Sequence, residues 1–494
     1  MALDLPGYIL AIDVGSSSVR CSLYDGAGGL VEGTGTSFQH GFTYTRDGGS
    51  MLDADELCEL IFGAVDGTLA RAGEKAKSTV AVASSTFWHS VLGVDQRGCP
   101  TTPILTWTDT RAADAARELR ERLDEDAVHR RTGCVFHPSY LPAKLLWLSR
   151  SFPKSFSKTE RFLSPDEYLH LRLFGEAKMG VSMASGTGLF DQHRKAWDEE
   201  LLDALPIKEG QLSLISDEPS RGLKGEWARR WPELTDVVWF PAAGDGACSN
   251  VGSGCVKSER MALMVGTSGA LRVLWKGDSA RVPEELWCYR ADSKRFVAGG
   301  ALSDGGNLVA WLRNALRLPE KEETEKLLAG MEPDAHGLTF LPLLAGERAP
   351  GWAAGASGSV AGLSLATRPV EILRAAMEAV ALRFALIGHK LDKSLPEGSD
   401  SRQVIATGGG LLSSPTWTQI MADTLGRQVT VSTVPEASNR GAALLALEAL
   451  GGPPLEEVEA PLGEAYEPDL SRHAAYEEAL NRQKALYNAV VRQK

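Results

Sequence analysis

Tyr8-Ile-Leu-Ala-Ile-Asp13-Val-Gly15-Ser16-Ser17-Ser18-Val-Arg20-Cys-Ser-Leu-Tyr24 is the stretch whose reading decides the fold. Its first half is a short apolar run with β-branched members, the pattern of a strand buried on both faces. After a Gly-Ser break, Val19 to Tyr24 resumes in the same style, so the piece reads as a hairpin. At the bend Gly15 is expected to take positive φ, with the hydroxyls of Ser16, Ser17 and Ser18 outward beside free amides, a cradle for phosphate oxygens. Asp13 ends the buried strand where a metal ion bound to those phosphates would want an oxygen ligand. The competing reading is a polar hairpin tip after an ordinary Asp, and on this stretch alone the two stand level.

A second copy separates them. Met261-Ala-Leu-Met-Val265-Gly266-Thr267-Ser268-Gly269-Ala-Leu-Arg272-Val-Leu repeats the scheme half a chain away: apolar strand, Gly, hydroxyl pair, small residue, then an Arg inside a second strand. A device repeated once per half implies two domains of like build, each offering a hydroxyl-lined loop to one shared cleft. The actin, hexokinase and heat-shock ATPase superfamily resembles itself internally in this way. By that analogy the fold is expected to be α/β, with two ribonuclease-H-like domains flanking a deep cleft.

The length of 494 residues fits two domains of roughly 200 to 250 residues each. We expect an N-terminal domain over 1–246 that binds sugar and phosphate, a C-terminal domain over 247–450 that binds nucleotide, and an acidic linker with a closing helix over 451–494. The net charge of −12 is spread along the chain without a basic block, so neither nucleic acid nor an anionic membrane is an expected partner. Seven scattered cysteines with no C-x-x-C pair read as reduced core residues. The N-terminus enters the first strand without a charged n-region or long apolar stretch, and a cytoplasmic protein is expected.

In the first half, Leu30 to Phe38 reads as a third strand, Asp53 to Ala70 as an amphipathic helix and Thr79 to Ser84 as another buried strand. Residues 124–232 read as mostly helical. In the second half a long helix is expected from about Pro369 to Leu391, a strand over Gln403 to Thr407, and helices near 415–425 and 438–450.

Absences narrow the chemistry. The chain has no Gly-Lys dipeptide, hence no Walker loop, and no G-x-G-x-x-G after a strand. Nucleotide, if bound, falls to the two hydroxyl hairpins. Asp245 is the first candidate for catalysis. Phosphoryl transfer to an alcohol needs a carboxylate within reach of the attacking hydroxyl, and an Asp between two glycines at a strand end, opening a helix, meets that demand. An N-cap Asp would look the same. Trp107-x-Asp109-x-Arg111 alternates on a segment read as extended, so the three side chains would share a face and hold a polyol, the Arg also able to pair with a ligand carboxylate. A surface ion pair beside a core Trp competes with that reading. Trp88 and His89 end a strand in the same half, where an indole can stack on a sugar face and an imidazole can hydrogen-bond a hydroxyl. Gly408-Gly409-Gly410 lets backbone pack flat against an adenine ring, with Ser413 and Ser414 beyond. No spacing suggests a zinc or iron centre or a hydrolase triad.

Together these residues resemble the FGGY carbohydrate kinases over nearly the whole chain. The most specific match is Gly358-Ser-Val360-Ala-Gly362-Leu363, seven residues, then Glu371-Ile372-Leu-Arg-Ala375-Ala376-Met377-Glu378. A partial match to the family's first signature is Lys144-Leu-Leu-Trp147-Leu, where Leu141 stands in place of a usual small or Pro residue. The resemblance implies Asp245 as catalytic base, Asp13 as the metal-side carboxylate, and Gly15, Ser16, Ser17, Gly266 and Thr267 as phosphate loops. It further implies Gly306, Ala310, Gly410, Ser414 and Asn439 around adenosine, and Trp88, His89, Asp109 and Arg111 around the sugar.

Several local spellings are similar to those of gluconokinases: Phe87-Trp88-His89-Ser90, Trp107-Thr-Asp109-Thr-Arg111, His137-Pro138, Ser185-Gly-Thr187-Gly188-Leu-Phe190 and Gly346-Glu347-Arg348-Ala349-Pro350-x-Trp352. Trp88 stands where Met is more usual. The implied activity is ATP- and Mg²⁺-dependent phosphorylation of a terminal hydroxyl of an open-chain sugar acid, first D-gluconate, with Arg111 or His137 meeting the carboxylate. A homodimer is compatible with the resemblance. The alternatives are an FGGY kinase for xylulose, ribulose or another polyol, and a nucleotide-driven machine of the actin or heat-shock type that has no sugar substrate.

Overall fold

The computed structural model describes residues 7–395, 397–398 and 402–492. Residues 1–6, read above for a leader, lie outside them.

Two sheets carry the chain. The first is built from β1 (Tyr8–Val14), β2 (Ser18–Tyr24), β3 (Thr36–Gln39), β4 (Thr79–Thr86) and β5 (Val238–Trp239) in the order β5-β4-β1-β2-β3, and β6 (Ala243–Gly244) pairs with the far end of β4. Strands β1 to β3 are antiparallel neighbours, whereas β4 runs parallel to β1 and β5 parallel to β4.

The second sheet contains β7 (Arg260–Val265), β8 (Gly269–Lys276), β9 (Trp287–Arg290), β10 (Arg295–Leu302), β11 (Gln403–Thr407), β12 (Val429–Ser432) and β13 (Leu462–Tyr466). Its order is β9-β10-β8-β7-β11-β12-β13. Without the edge strands β9 and β13, it repeats the first sheet strand for strand, including the switch from antiparallel to parallel pairing at β7. The two hydroxyl hairpins are thus the β1–β2 and β7–β8 turns, in equivalent places of two ribonuclease-H-like sheets.

Three local expectations are corrected. Pairing of the third strand begins only at Thr36, because Gly33 turns the chain at φ +78°, and Leu30 makes a lone bridge to Tyr24. Gly15 does not adopt positive φ, since its N–H closes the turn onto the Ser18 carbonyl at 2.9 Å without needing that conformation. Ser18 is buried, which leaves Ser16 and Ser17 as the outward hydroxyls.

Helix α1 (Ala54–Ala72) is N-capped by Asp53, which accepts from the amides of Asp55 at 2.9 Å and Glu56 at 3.0 Å. Its Leu57, Ile61, Phe62 and Val65 pack with Leu10, Ile12, Val19 and Cys21 on one face of the first sheet. The other face carries Ile9, Ala11, Ala81 and Ala83, and it is covered by α2 (Asp245–Gly252) and, from beyond the second sheet's central strands in sequence, by α6 (Ala437–Ala449).

Between these two helices of the sequence lie α3 (Gly306–Ala315), α4 (Pro369–Ser394) and α5 (Pro415–Leu425); α7 (Leu470–Val490) closes the chain. Helices α2 and α6 cross at glycines. A Cβ on Gly252 would lie 1.8 Å from the Ala437 carbonyl oxygen, and one on Gly441 would lie 1.8 Å from that of Cys248. Backbone meets backbone at the junction of the halves, which ties the position of Asp245 to both. All seven cysteines are free thiols, buried except Cys99. Among the described residues no helix is long and apolar enough to cross a membrane.

Candidate active site

A cavity of about 200 Å³ lies between the sheets. The first half contributes Ser16, Trp88, His89, Trp107, Tyr140 and Asp245, and the second contributes Ala270, Arg272, Trp287, Tyr289, Arg348 and Trp352.

Asp245 is the first residue of α2 rather than its cap. Gly244 holds the cap position, and the carboxylate receives one backbone bond, from the Gly246 N–H at 2.7 Å. The rest of the side chain is open to the cavity. Burial pushes its pKa up to about 6. The nearby Arg272 opposes the rise, Asp13 adds to it, and Arg348 opposes it more weakly.

The glycines on either side of Asp245 serve a neighbour. Added Cβ atoms on Gly244, Gly246 and Gly186 would lie 1.8, 2.8 and 2.4 Å from atoms of the Trp88 ring, so the indole fills the space that the spacing leaves. Trp88 Nε1 donates to the Ser182 carbonyl at 3.0 Å, and the ring lies 5.1 Å from that of Tyr289 in the opposite half.

His89 sits at φ +64° with Nδ1 donating to the Gly186 carbonyl at 2.5 Å. Burial drives its pKa down to about 3, so the ring is neutral and Nε2 carries a lone pair that can accept from a hydroxyl. Its backbone is anchored by a residue to which the sequence reading gave no role. Lys144, fully buried, donates from Nζ to the carbonyls of His89 at 2.5 Å and Thr106 at 2.7 Å, pinning two chain segments that line the cavity. Burial lowers the Lys144 pKa to about 7, against the pull of Asp109.

Trp107, Asp109 and Arg111 do not share a face. The segment turns, with the Asp109 N–H bonded to the Thr106 carbonyl at 3.1 Å. Trp107 remains in the cavity wall, its Nε1 3.1 Å from Ser16 Oγ. Asp109 and Arg111 form a closed pair at 2.6 Å outside the cavity lining, with the guanidinium 4.5 Å over the Trp147 ring. His137 is also absent from the lining. Its Nδ1 meets Ser139 Oγ at 3.0 Å, and its ring lies 5.4 Å from that of Trp352.

On the phosphate side, Gly266 closes the β7–β8 turn with a bond from its N–H to the Ser268 carbonyl, at 2.9 Å. Helix α3 starts directly on this turn: the Gly306 N–H bonds the Gly266 carbonyl at 2.8 Å and the Asn307 N–H bonds that of Thr267 at 3.0 Å. A Cβ on Gly306 would lie 2.5 Å from the Gly266 oxygen. Ala310 follows one turn later and is exposed. Gly408 (φ +90°) and Gly410 press on Val265, where Cβ atoms would meet its carbonyl oxygen at 2.5 and 2.8 Å, and Gly409 faces open space. Gly306 and Gly410 thus bring small residues to the end of β7, with Ala310 one turn further along α3.

Ser414 is committed elsewhere. Its hydroxyl caps α5 at the Trp417 N–H and donates to Glu325 at 3.0 Å. Asn439 is 1 % exposed with both amide atoms buried and unpartnered, so it meets no solute without movement of α6.

Asp13 is buried at the end of β1. One of its oxygens accepts from Ser85 Oγ, and the other lies 3.6 Å from Arg20 Nη1, which also reaches Glu436 at 3.1 Å. Oxygen donors beside a hydroxyl-lined turn fit a hard cation such as Mg²⁺, held chiefly through phosphate and water.

Paired ribonuclease-H-like domains, with a hydroxyl hairpin from each and an acidic residue between them, define a small-molecule kinase of the two-domain type. The chain belongs to the FGGY family of carbohydrate kinases: residues 8–252 match that family's N-terminal domain and residues 261–450 its C-terminal domain. It is 30 % identical to a gluconokinase of Bacillus subtilis over 90 % of this chain and 88 % of the relative. It superimposes at TM-score 0.89 on a gluconate kinase and, equally, on a xylulose kinase, both from Lactobacillus acidophilus, each 28 % identical with 98 % of both chains covered. A sugar kinase is thereby established, and the sugar-free ATPase reading is set aside.

Proposed function

We propose that the protein transfers the γ-phosphate of ATP to a terminal hydroxyl of an open-chain sugar acid, first D-gluconate, giving 6-phosphogluconate. The observation that carries this reading is one cavity that holds a carboxylate, Asp245, together with the guanidinium groups of Arg272 and Arg348. A neutral sugar makes use of the first and gains little from the other two. A sugar acid presents its hydroxyl to Asp245 and its carboxylate to the cationic side of the cavity.

Asp245 accepts the hydroxyl proton as the alcohol oxygen attacks the γ-phosphorus and ADP departs. His89 Nε2 receives a hydrogen bond from a substrate hydroxyl, and the Trp88 and Trp287 rings supply apolar walls for the carbon chain. The β1–β2 and β7–β8 hairpins present Ser16, Ser17 and Thr267 to the phosphates. Mg²⁺, when bound, neutralises phosphate charge, and Asp13 would hold it. Because both halves line the cavity, closing them around substrate excludes water that would otherwise compete with the sugar hydroxyl.

A coupled ADP-release assay over gluconate, other aldonates, xylulose, ribulose and glycerol tests the substrate class. The expected order is gluconate first, by at least about tenfold in kcat/KM over the neutral sugars, a difference of about 1.4 kcal/mol. Preference for a ketopentose, as the xylulose kinase likeness would have it, overturns the reading.

A pH profile tests the base. Asp245 must be ionised to accept a proton, and its pKa is pushed up to about 6, so kcat/KM is expected to fall tenfold per pH unit below about pH 6. An acid limb near 4, the range of an unperturbed Asp, contradicts the assignment.

A further inference from the structure

We propose that Arg272 is the specificity-determining residue of this site and that its guanidinium binds the carboxylate of the acceptor. The assignment rests on the sugar-acid reading above and names the group that enforces it.

Arg272 lies on β8, within a strand that is otherwise mostly apolar, and is 7 % exposed. Its Nη1 is fully buried without a partner, and its guanidinium makes no hydrogen bond or ion pair with any described residue. A guanidinium stays charged under all physiological conditions, and a buried charge without a counter-ion is costly. Such a group is tolerated where a ligand brings the missing anion. Asp245 shares the cavity and acts on Arg272 through space, but the two form no ion pair. A direct pair would occupy the base.

The other cations near the cavity each have at least one partner. Arg348 donates to the Leu302 carbonyl at 3.1 Å and lies 4.7 Å over the Trp107 ring. Arg111 is closed on Asp109, and Lys144 is spent on two backbone carbonyls. Arg348 also keeps a buried, unpartnered Nε, but its Nη2 is tied to backbone, whereas no nitrogen of the Arg272 guanidinium is held by a described residue, so the Arg272 fork can bind a carboxylate through two parallel bonds. Ala270, two residues earlier on the same face of β8, is small and leaves the approach open.

The test compares wild type with R272Q and R272K. Binding of gluconate and of xylulose is followed by tryptophan fluorescence without nucleotide, kcat and KM are measured for both acceptors, and ATP affinity serves as the control for folding. In R272Q the gluconate-to-xylulose ratio of kcat/KM is expected to fall about 100-fold, chiefly through KM for gluconate, with ATP affinity kept. R272K, which keeps the charge and loses the fork, is expected to fall between. Because R272Q removes an unpaired buried charge, its melting temperature is expected to equal or exceed that of wild type.

Unchanged gluconate affinity in R272Q overturns the assignment. So does an equal loss of kcat for both acceptors, which would place Arg272 on the transferring phosphoryl group. A wild type that binds gluconate while R272Q binds it equally well sinks only the role of Arg272. A wild type that binds no sugar acid sinks the substrate reading and this assignment together.

Discussion

Asp245→Asn is expected to lower kcat by about 10² to 10⁴, the range that a positioned general base contributes, while ATP still binds. The substitution is isosteric. The amide oxygen can keep the 2.7 Å contact with the Gly246 N–H, so the start of α2 and its glycine crossing with α6 are left in place. What disappears is the capacity to take a proton from the attacking hydroxyl, together with one negative charge facing Arg272. Loss of that charge leaves two cations, Arg272 and Arg348, without an acid in the cavity, so the affinity for gluconate is expected to hold or rise even as turnover collapses. Single-turnover rates and nucleotide binding measured on the same preparation separate the two effects. Near-normal turnover would remove Asp245 from the reaction.

The hairpin at 8–24 and its copy at 261–274 were legible because they are local: apolar strands around a Gly-hydroxyl turn mark themselves in sequence, and their recurrence half a chain apart implied the paired sheets. Contacts made over long sequence distances were less visible. Helix α6 was readable as a helix, but nothing in Ala437–Ala449 says that its Ala443, Leu444 and Leu447 cover the far face of the first sheet.

Asp109 and Arg111 were placed on one face with Trp107 by an alternation that assumes an extended chain, and a turn closed from Asp109 to Thr106 voids that assumption. The Gly-Asp-Gly spacing singled out a residue that lines the cavity, although the glycines make room for Trp88 rather than for a ligand. Arg272 stood out as an Arg inside a strand. Its vacant guanidinium is a property of the assembled cavity, since only the structure shows which cations already have partners.

Glu347→Leu is expected to lower stability by about 3 to 5 kcal/mol and, separately, to weaken sugar binding. Glu347 is 3 % exposed and is gripped from three directions: the guanidinium of Arg383 on α4, the Tyr487 hydroxyl on α7 at 2.5 Å, and the Gly351 N–H of its own loop at 3.3 Å. Its neighbour Arg348, and Trp352 five residues on, project from this loop into the cavity. Helix α7, read in sequence as a closing helix after an acidic linker, therefore steadies one wall of the cavity.

Leucine leaves the Arg383 charge buried without its counter-ion, and this accounts for most of the stability loss. At roughly 2 to 4 °C per kcal/mol for domains of this size, the melting midpoint should drop on the order of 10 °C. A second change, Arg383→Met, replaces the broken ion pair with an apolar one and is expected to restore much of the midpoint. It should not restore KM for the sugar, because Gly351 and Tyr487 still lack the carboxylate that organised the loop. Recovery of both quantities together in the double variant would show that the loop is held by packing alone, and wild-type behaviour of the single variant would show that Glu347 does not hold it.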